Sequence, residues 1–532
     1  MRLFPALIAV SLTGVAGVVL VNRGQAQQRP ALFSDKERAA IVTYWSAPGR
    51  YSMGLTPDIV GKGPWVVRQT AEGSEWLLRY QRKITAGKKI PPSKSAQAPD
   101  DGVTAGWDPW IAARIKADRA AAQEAVDASN AALKAAYTPT PSASPSTPLP
   151  PASPTPSPKG ERVPEKTGTT AKPASSPPPS SGEGVGEAGG RGNSGIPPIP
   201  PSLLEALGNP PSFARAVLPM GYKVMFDKPE ETYTYTDHVR LGERFAYYRF
   251  PLGVVSYGAQ LKDMEDGTRG KLFTAAGFSP SERKIFEGVS GLEGGFETVQ
   301  TYDTGYVSVG FIQFVTLAEG KHDLSKVLLS EKKSDPKTYE ADFRRFGIDV
   351  ADDDSITVID PATGAELVGP EAVKKIIDDK RLLAVFQRAG RNSEPFKVAQ
   401  IKIAKSFYWP TDDKISVPLA EGARAEGTIG QVVKSEAGLA TLLDRKINTG
   451  NTRPLEDVVG QVMQAHSLTT LAEVAPYEKE IVAKMEYRTN FLERSDLQQP
   501  PAPPEPKKPD TPEVAAKKRN FWQKLWGRLF GG

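Results

Sequence analysis

Apolar positions recur at two spacings along this chain, and the change from one to the other divides it. From Ser279 onward the usual interval is three or four residues, the mark of amphipathic helices, whereas Tyr222–Phe226 and Thr232–Tyr235 alternate every second residue as half-buried strands do. Phe245–Leu261 is apolar and ambiguous. Trp65–Val67 and Trp76–Tyr80 are short apolar runs between glycine-rich turns and are expected to form a strand pair. Helices are expected over Asp323–Leu329, Pro336–Phe346, Pro370–Gly390, Glu394–Trp409, Gly427–Thr449, Pro454–Ala465 and Pro476–Phe491. Ile356–Leu367 is β-prone around Asp360-Pro361 and Thr363-Gly364 and reads as a hairpin.

Helix starts are marked by their chemistry. Ser34-Asp35-Lys36-Glu37 is a capping box, in which serine hydroxyl and glutamate carboxylate satisfy free amides of a helix running to about Trp45. Asp108-Pro109 opens an alanine-rich helix reaching about Ala136. Ser279-Pro280-Ser281-Glu282 is a second capping box with proline at the first helical position, followed by Ile285, Phe286, Val289 and Leu292 as a buried face.

These patterns organise the chain. Residues 1–26 carry one basic residue, Arg2, then an apolar run of about eighteen residues and Gly24-Gln25-Ala26; this describes an export signal, with an uncleaved membrane anchor as the alternative. Residues 31–136 read as a small α+β module of unknown role, whose tryptophans Trp45, Trp65, Trp76, Trp107 and Trp110 are weighed as core anchors over sugar-stacking platforms. Residues 137–201 are rich in Pro, Ser, Thr, Gly and Ala and form a tether without enough apolar groups to fold. Residues 202–497 are the large domain, mainly α within an α+β class. After a Pro/Lys-rich linker at 498–518, the tail 519–532 (RNFWQKLWGRLFGG) places Phe521, Trp522, Leu525, Trp526, Leu529 and Phe530 on one helical face with a basic flank. Such a helix suits membrane-surface contact or docking on the protein's own body.

Composition narrows the chemistry. The chain has 532 residues, 39% of them hydrophobic, with 48 Pro and 48 Gly, as expected of globular pieces joined by open linkers. A net charge of +5 makes no case for nucleic acid. With no cysteine, disulfides and thiol nucleophiles are excluded, and the three histidines (His238, His322, His466) lack metal-ligand spacing, so neither a metal nor a cofactor is expected. Carboxylates are the best remaining catalytic groups.

Two of them stand out. Glu293 follows the capped helix immediately before Gly294-Gly295, where the negative end of a helix dipole favours a protonated carboxyl. Asp303 lies ten positions on, in the ribbon Tyr302–Gly310 with a turn at Thr304-Gly305. A carboxyl pair separated by roughly 6.5–9.5 Å inverts a glycosidic centre, whereas roughly 5 Å points to a covalent, retaining route. Glu297 is the rival acid. Tyr302, Tyr306, Gln313 and Glu297 are candidate glycan-binding residues, with Arg391 and Asn392 behind them. Glu-Gly-Gly and Asp-Thr-Gly are also ordinary helix-end and turn sequences, so neither decides alone.

The series Glu293-Gly294, Asp303-Thr304, Gly305-Tyr306, Ser308 and Gly310 resembles the active-site segment of phage-type lysozymes. The resemblance implies Glu293 as general acid, Asp303 as the carboxylate across the cleft, and Ser308 in the place of a threonine that holds the water. The Glu-to-Asp interval is about one residue longer than in that family. Gly310–Phe314, Pro395–Gln400 and Phe407–Pro410 resemble the chitosanases of the same lysozyme-like superfamily, and Gly310-Phe311-Ile312-Gln313 is also similar to a lytic transglycosylase motif. The resemblance implies an exported hydrolase of β-1,4-linked amino-sugar polymer: peptidoglycan first, chitosan second. A non-catalytic glycan-binding or envelope-structural protein is the alternative. Its location would be periplasmic, cell-envelope or extracellular.

Overall fold

The computed structural model describes residues 30–55, 63–85, 104, 106–137, 197–237, 253–291, 294–302, 305–419 and 423–503. The expected export segment (1–26) and the tail 519–532 lie outside these residues, as do His238 and most of the two expected linkers. No helix among the described residues is long and apolar enough to cross a membrane.

Helices and small antiparallel sheets combine in an α+β architecture. At the N-terminal end, Ser34 caps the helix Asp35–Ser46 in the reciprocal arrangement with Glu37. The strand Tyr51–Leu55 then pairs with Met220–Asp227, which pairs with Glu230–Thr236. Phe33, Ile41 and Trp45 enter the large core, and the Trp45 indole N–H donates to the Phe346 carbonyl at 3.0 Å. Glu366 accepts from the Leu32 and Phe33 amides at 2.8 and 3.0 Å. Residues 30–55 therefore belong to the large body and not to a separate module.

The rest of the expected module builds a second core, together with residues beyond the tether. The helices Ala71–Thr85, Trp107–Tyr137 and Pro201–Leu207 close over the strand pair Val66–Gln69 and Ala214–Val217. Trp76, Tyr80, Trp107, Trp110 and Phe213 fill it. The expected boundary at 201 thus cuts through this core; the Trp110 indole N–H donates to Pro197 O at 2.9 Å. Four of the five tryptophans are buried, as core anchors should be, and Trp65 is half-buried. Trp76–Tyr80 is helix where a strand was expected. Trp76, Leu77, Tyr80 and Ile84 fall on one helical face, and the Thr70 hydroxyl accepts the Gly73 amide at 3.0 Å at the helix start.

In the large core the helices Asp323–Ser334 and Glu394–Tyr408 pack together, as do Pro280–Ser290 and Glu436–Thr449. The expected hairpin forms Ile356–Ile359 and Glu366–Val368, joined by Ile348–Val350 into three strands. Four expected helices are divided or cut short: Pro336–Phe346 is α-helical only to Asp342, and the helix expected over Pro476–Phe491 ends at Met485. Pro370–Gly390 breaks into Gly369–Asp378 and Lys380–Asn392, because the Asp379 carboxylate accepts the Arg381 amide and starts a new helix. Gly427–Thr449 begins as a strand: Arg424–Thr428 pairs with Lys414–Pro418, and the long helix starts only at the Ser435 cap.

Candidate functional site

The helix Pro280–Ser290 starts at Ser279 as expected and buries Ile285, Phe286 and Val289. Its last helical residue is Ser290, whose carbonyl accepts from the Gly294 amide at 3.0 Å. Glu293 and Asp303, the two expected catalytic carboxylates, lie outside the described residues, as do Leu292 and Thr304. The segments 294–302 and 305–315 beyond them are described, and with Val255–Ser256 they form a four-stranded antiparallel ribbon of very short strands. Its order is Val255–Ser256, Val299–Gln300, Ser308–Val309 and Phe314–Val315.

Three side chains from the helical core hold this ribbon. Gln400, fully buried on the helix Glu394–Tyr408, donates from Nε2 to Phe296 O at 3.1 Å and accepts from the Phe311 amide at 3.4 Å. A Cβ at Gly310, where φ is +90°, would stand 2.1 Å from the Gln400 Oε1, so only glycine fits there. Asp323, also buried, accepts the Val315 amide at 2.6 Å and the Tyr408 hydroxyl, and its Oδ1 lies 3.0 Å from His322 Nδ1. The hydrogen bond to Asp323 raises the His322 pKa against a smaller opposing effect of burial. Arg391 is the third, through its pair with Glu297.

Glu297 is buried and its carboxylate is engaged. One oxygen accepts the Ala259 amide at 2.9 Å; the other accepts from Arg391 Nε and Nη2 at 2.8 and 2.7 Å. Arg391 also lies 4.7 Å from the centre of the Tyr233 ring. Gly390 brings helix backbone against the turn that carries Glu297, since a Cβ there would meet Phe296 O at 2.2 Å. Glu297 is thus a tie between ribbon and helix, which leaves little of it to act as an acid or to bind sugar. Asn392 is turned to Glu231, donating to both carboxylate oxygens at 2.9 Å.

The remaining candidates are spread over the ribbon. Ser308 is buried between Gln300 and Val315, with 2% of its surface exposed. Tyr302, Tyr306 and Gln313 are half-buried, and the Gln313 amide donates to Gly310 O at 2.8 Å. Backbone strain collects here. Of five non-glycine residues at positive φ among the described residues, Tyr306 (68°), Gln313 (58°) and Leu317 (51°) lie within one stretch of twelve.

Sequence reasoning noted Gln400 only inside a motif and missed its clamp, because a buried amide spanning two loops has no local periodicity. It also missed Tyr257, an exposed aromatic before Gly258, for which the aromatic-glycine pair was the available signal. A third omission is a buried polar cluster behind the ribbon. Glu331, Tyr339, Asp342 and Arg388 supply five of the nine buried side-chain polar atoms that lack a hydrogen-bond partner among the described residues. Burial, reinforced by Asp342 and Asp335, raises the Glu331 pKa to about 9.

No protein-family model, curated protein or solved structure matches this chain.

Proposed function

We propose that the chain is an exported glycoside hydrolase that cleaves β-1,4 linkages of an amino-sugar polymer on a lysozyme-like domain, with peptidoglycan as its substrate. The observation that carries this reading is the ribbon itself. It adjoins both carboxylate positions in sequence, it is strained at Tyr306, Gln313 and Leu317, and Gln400, Asp323 and Arg391 hold it from behind. Strain retained on a braced scaffold is what precise placement of reacting groups requires.

In this reading Glu293 protonates the leaving oxygen and Asp303 acts from the opposite face, either on a water or on the sugar carbon. Glu297 and Arg391 position the segment and do not react. The burial of Ser308 favours a second reading, in which the domain binds glycan without cleaving it. Release of soluble muropeptides from purified sacculi separates the two. The wild-type chain is expected to release them, and Glu293→Gln to lower the rate by about 10²–10⁴-fold, the usual contribution of a general acid. Equal rates would remove Glu293 from the acid role. If wild type binds sacculi and releases nothing, the second reading holds. Soluble chitosan, scored by new reducing ends, tests the other polymer.

A further inference from the structure

Five large apolar side chains stand exposed among the described residues: Met53, Leu204, Tyr257, Leu317 and Val368. Two of these, Tyr257 and Leu317, sit on the edges of the strained ribbon. Tyr257 directly follows the first ribbon strand and is 55% exposed; Leu317 lies two residues beyond the last strand and is 40% exposed. Each is tied to a segment that adjoins an expected carboxylate. The Thr298 hydroxyl donates to Tyr257 O at 2.6 Å and accepts from the Gly295 amide at 2.9 Å, two residues after Glu293. The Leu317 amide donates to the carbonyl of Gly305, two residues after Asp303, at 3.2 Å.

Both exposed side chains sit where the backbone is held to the rest of the ribbon. A large apolar side chain left in water contributes nothing to the core, and at Leu317 the backbone also takes a left-handed conformation that branched side chains avoid. The support beneath Tyr257 is rigid. Gly258 (φ +59°) has no room for a Cβ beside Glu297 Cγ, 2.3 Å away, and Ala259 is bonded to the same glutamate. An aromatic ring exposed on a fixed backbone can bind with little further loss of entropy. Small residues adjoin both: Gly258 and Ala259 follow Tyr257, and Ala318 follows Leu317, so no bulky side chain stands next to either in the chain. The two apolar surfaces are single, unlike the continuous patch that marks a protein-binding face, and they match rings with an apolar face and hydroxyl edges.

We propose that Tyr257 and Leu317 are binding ledges, each receiving the apolar face of one pyranose ring of a β-1,4-linked amino-sugar chain. The substrate class rests on the function proposed above, but the ledges do not require that the chain be cut.

The test uses the full chain carrying Glu293→Gln and measures affinity for the β-1,4-linked N-acetylglucosamine hexamer by calorimetry. Tyr257→Ala is expected to weaken binding about tenfold, and Leu317→Asn, which tolerates the left-handed backbone, about threefold. Tyr257→Phe should stay within about twofold of the parent, since the ring is what binds. Met53→Ala, exposed on a strand of another sheet, should leave affinity unchanged and controls for loss of any surface apolar group. Unchanged affinity in Tyr257→Ala, an equal loss in Met53→Ala, or no binding by the parent overturns the ledges. Muropeptide release by wild type is scored separately. Ledge-dependent binding without release retains the ledges and rejects hydrolysis; release with ledge-independent binding does the reverse.

Discussion

Replacing Glu331 by glutamine should stabilise this protein at neutral pH and slightly destabilise it in acid. Glu331 projects from the helix Asp323–Ser334 into the core with no exposed surface, and among the described residues its carboxyl oxygens make no well-formed hydrogen bond, the Ser393 hydroxyl being only a weak polar neighbour. Burial is the main cause of its raised pKa; the charges of Asp342 and Asp335 add to it, and the Ser393 hydroxyl offsets it in part. The folded chain therefore keeps this proton up to about pH 9, whereas the unfolded chain releases it near 4.5. Between those values the folded state binds more protons than the unfolded state, so stability falls as pH rises. The contribution is fully present below about 4.5 and has been lost by about 9. At about 1.4 kcal/mol for each pH unit above 4.5, the cost at pH 7 is roughly 3 kcal/mol. Glutamine keeps the shape and removes the titration, but it leaves an amide without partners at a cost of about 1 kcal/mol, for a net gain of about 2 kcal/mol. For a body of this size that corresponds to a rise of about 3 °C in Tm at pH 7. Thermal unfolding of wild type and Glu331→Gln should be followed from pH 4 to 9 at constant ionic strength. The two Tm curves should cross at about pH 5, with wild type the more stable below it and the variant the more stable above it. Parallel curves would refute the reasoning, because they would mean that Glu331 titrates alike in both states.

Two further outcomes concern the ribbon. Gln400→Ala strands the Phe296 carbonyl and the Phe311 amide in a dry core, so unfolding in urea should show a loss of about 2–4 kcal/mol; a loss under 1 kcal/mol would mean that the ribbon is held by other contacts. Arg391→Ala leaves Glu297 buried with only the Ala259 amide, and after allowance for the partial exposure of Arg391 it should cost about 2 kcal/mol. The double variant Arg391→Ala, Glu297→Gln should recover part of that loss, and failure to recover any would show that the charge pair is not its source.

How much of this was legible in the sequence can be read from particular elements. The capping boxes at Ser34 and Ser279 and the strands 220–227 and 230–236 rest on interactions within a few residues, and each appears where its pattern put it. The helix Ala71–Thr85 was misread because only five of its residues, Trp76–Tyr80, were weighed, a window too short to separate the helical period from the strand period. The break at Asp379 was hidden because apolar residues continue on both sides of it, and the cap depends on one side chain meeting one amide. In the candidate site, Glu297 drew attention as a free carboxylate beside the ribbon. Its partner Arg391 lies 94 residues away, and no local pattern links the two.

By itself the sequence determined the mixed class of fold and the starts of the capped helices at Ser34 and Ser279, since those follow from side-chain type and local spacing. Only the tertiary structure decided that residues 30–55 complete the large core through Trp45, that residues 197–217 close a second core over Trp76 and Trp107, and that Gln400, Asp323 and Arg391 brace the ribbon. Those are bonds and packing between residues far apart in the chain. Their energy comes from excluding water and pairing polar groups once the chain has closed on itself, which local periodicity does not encode.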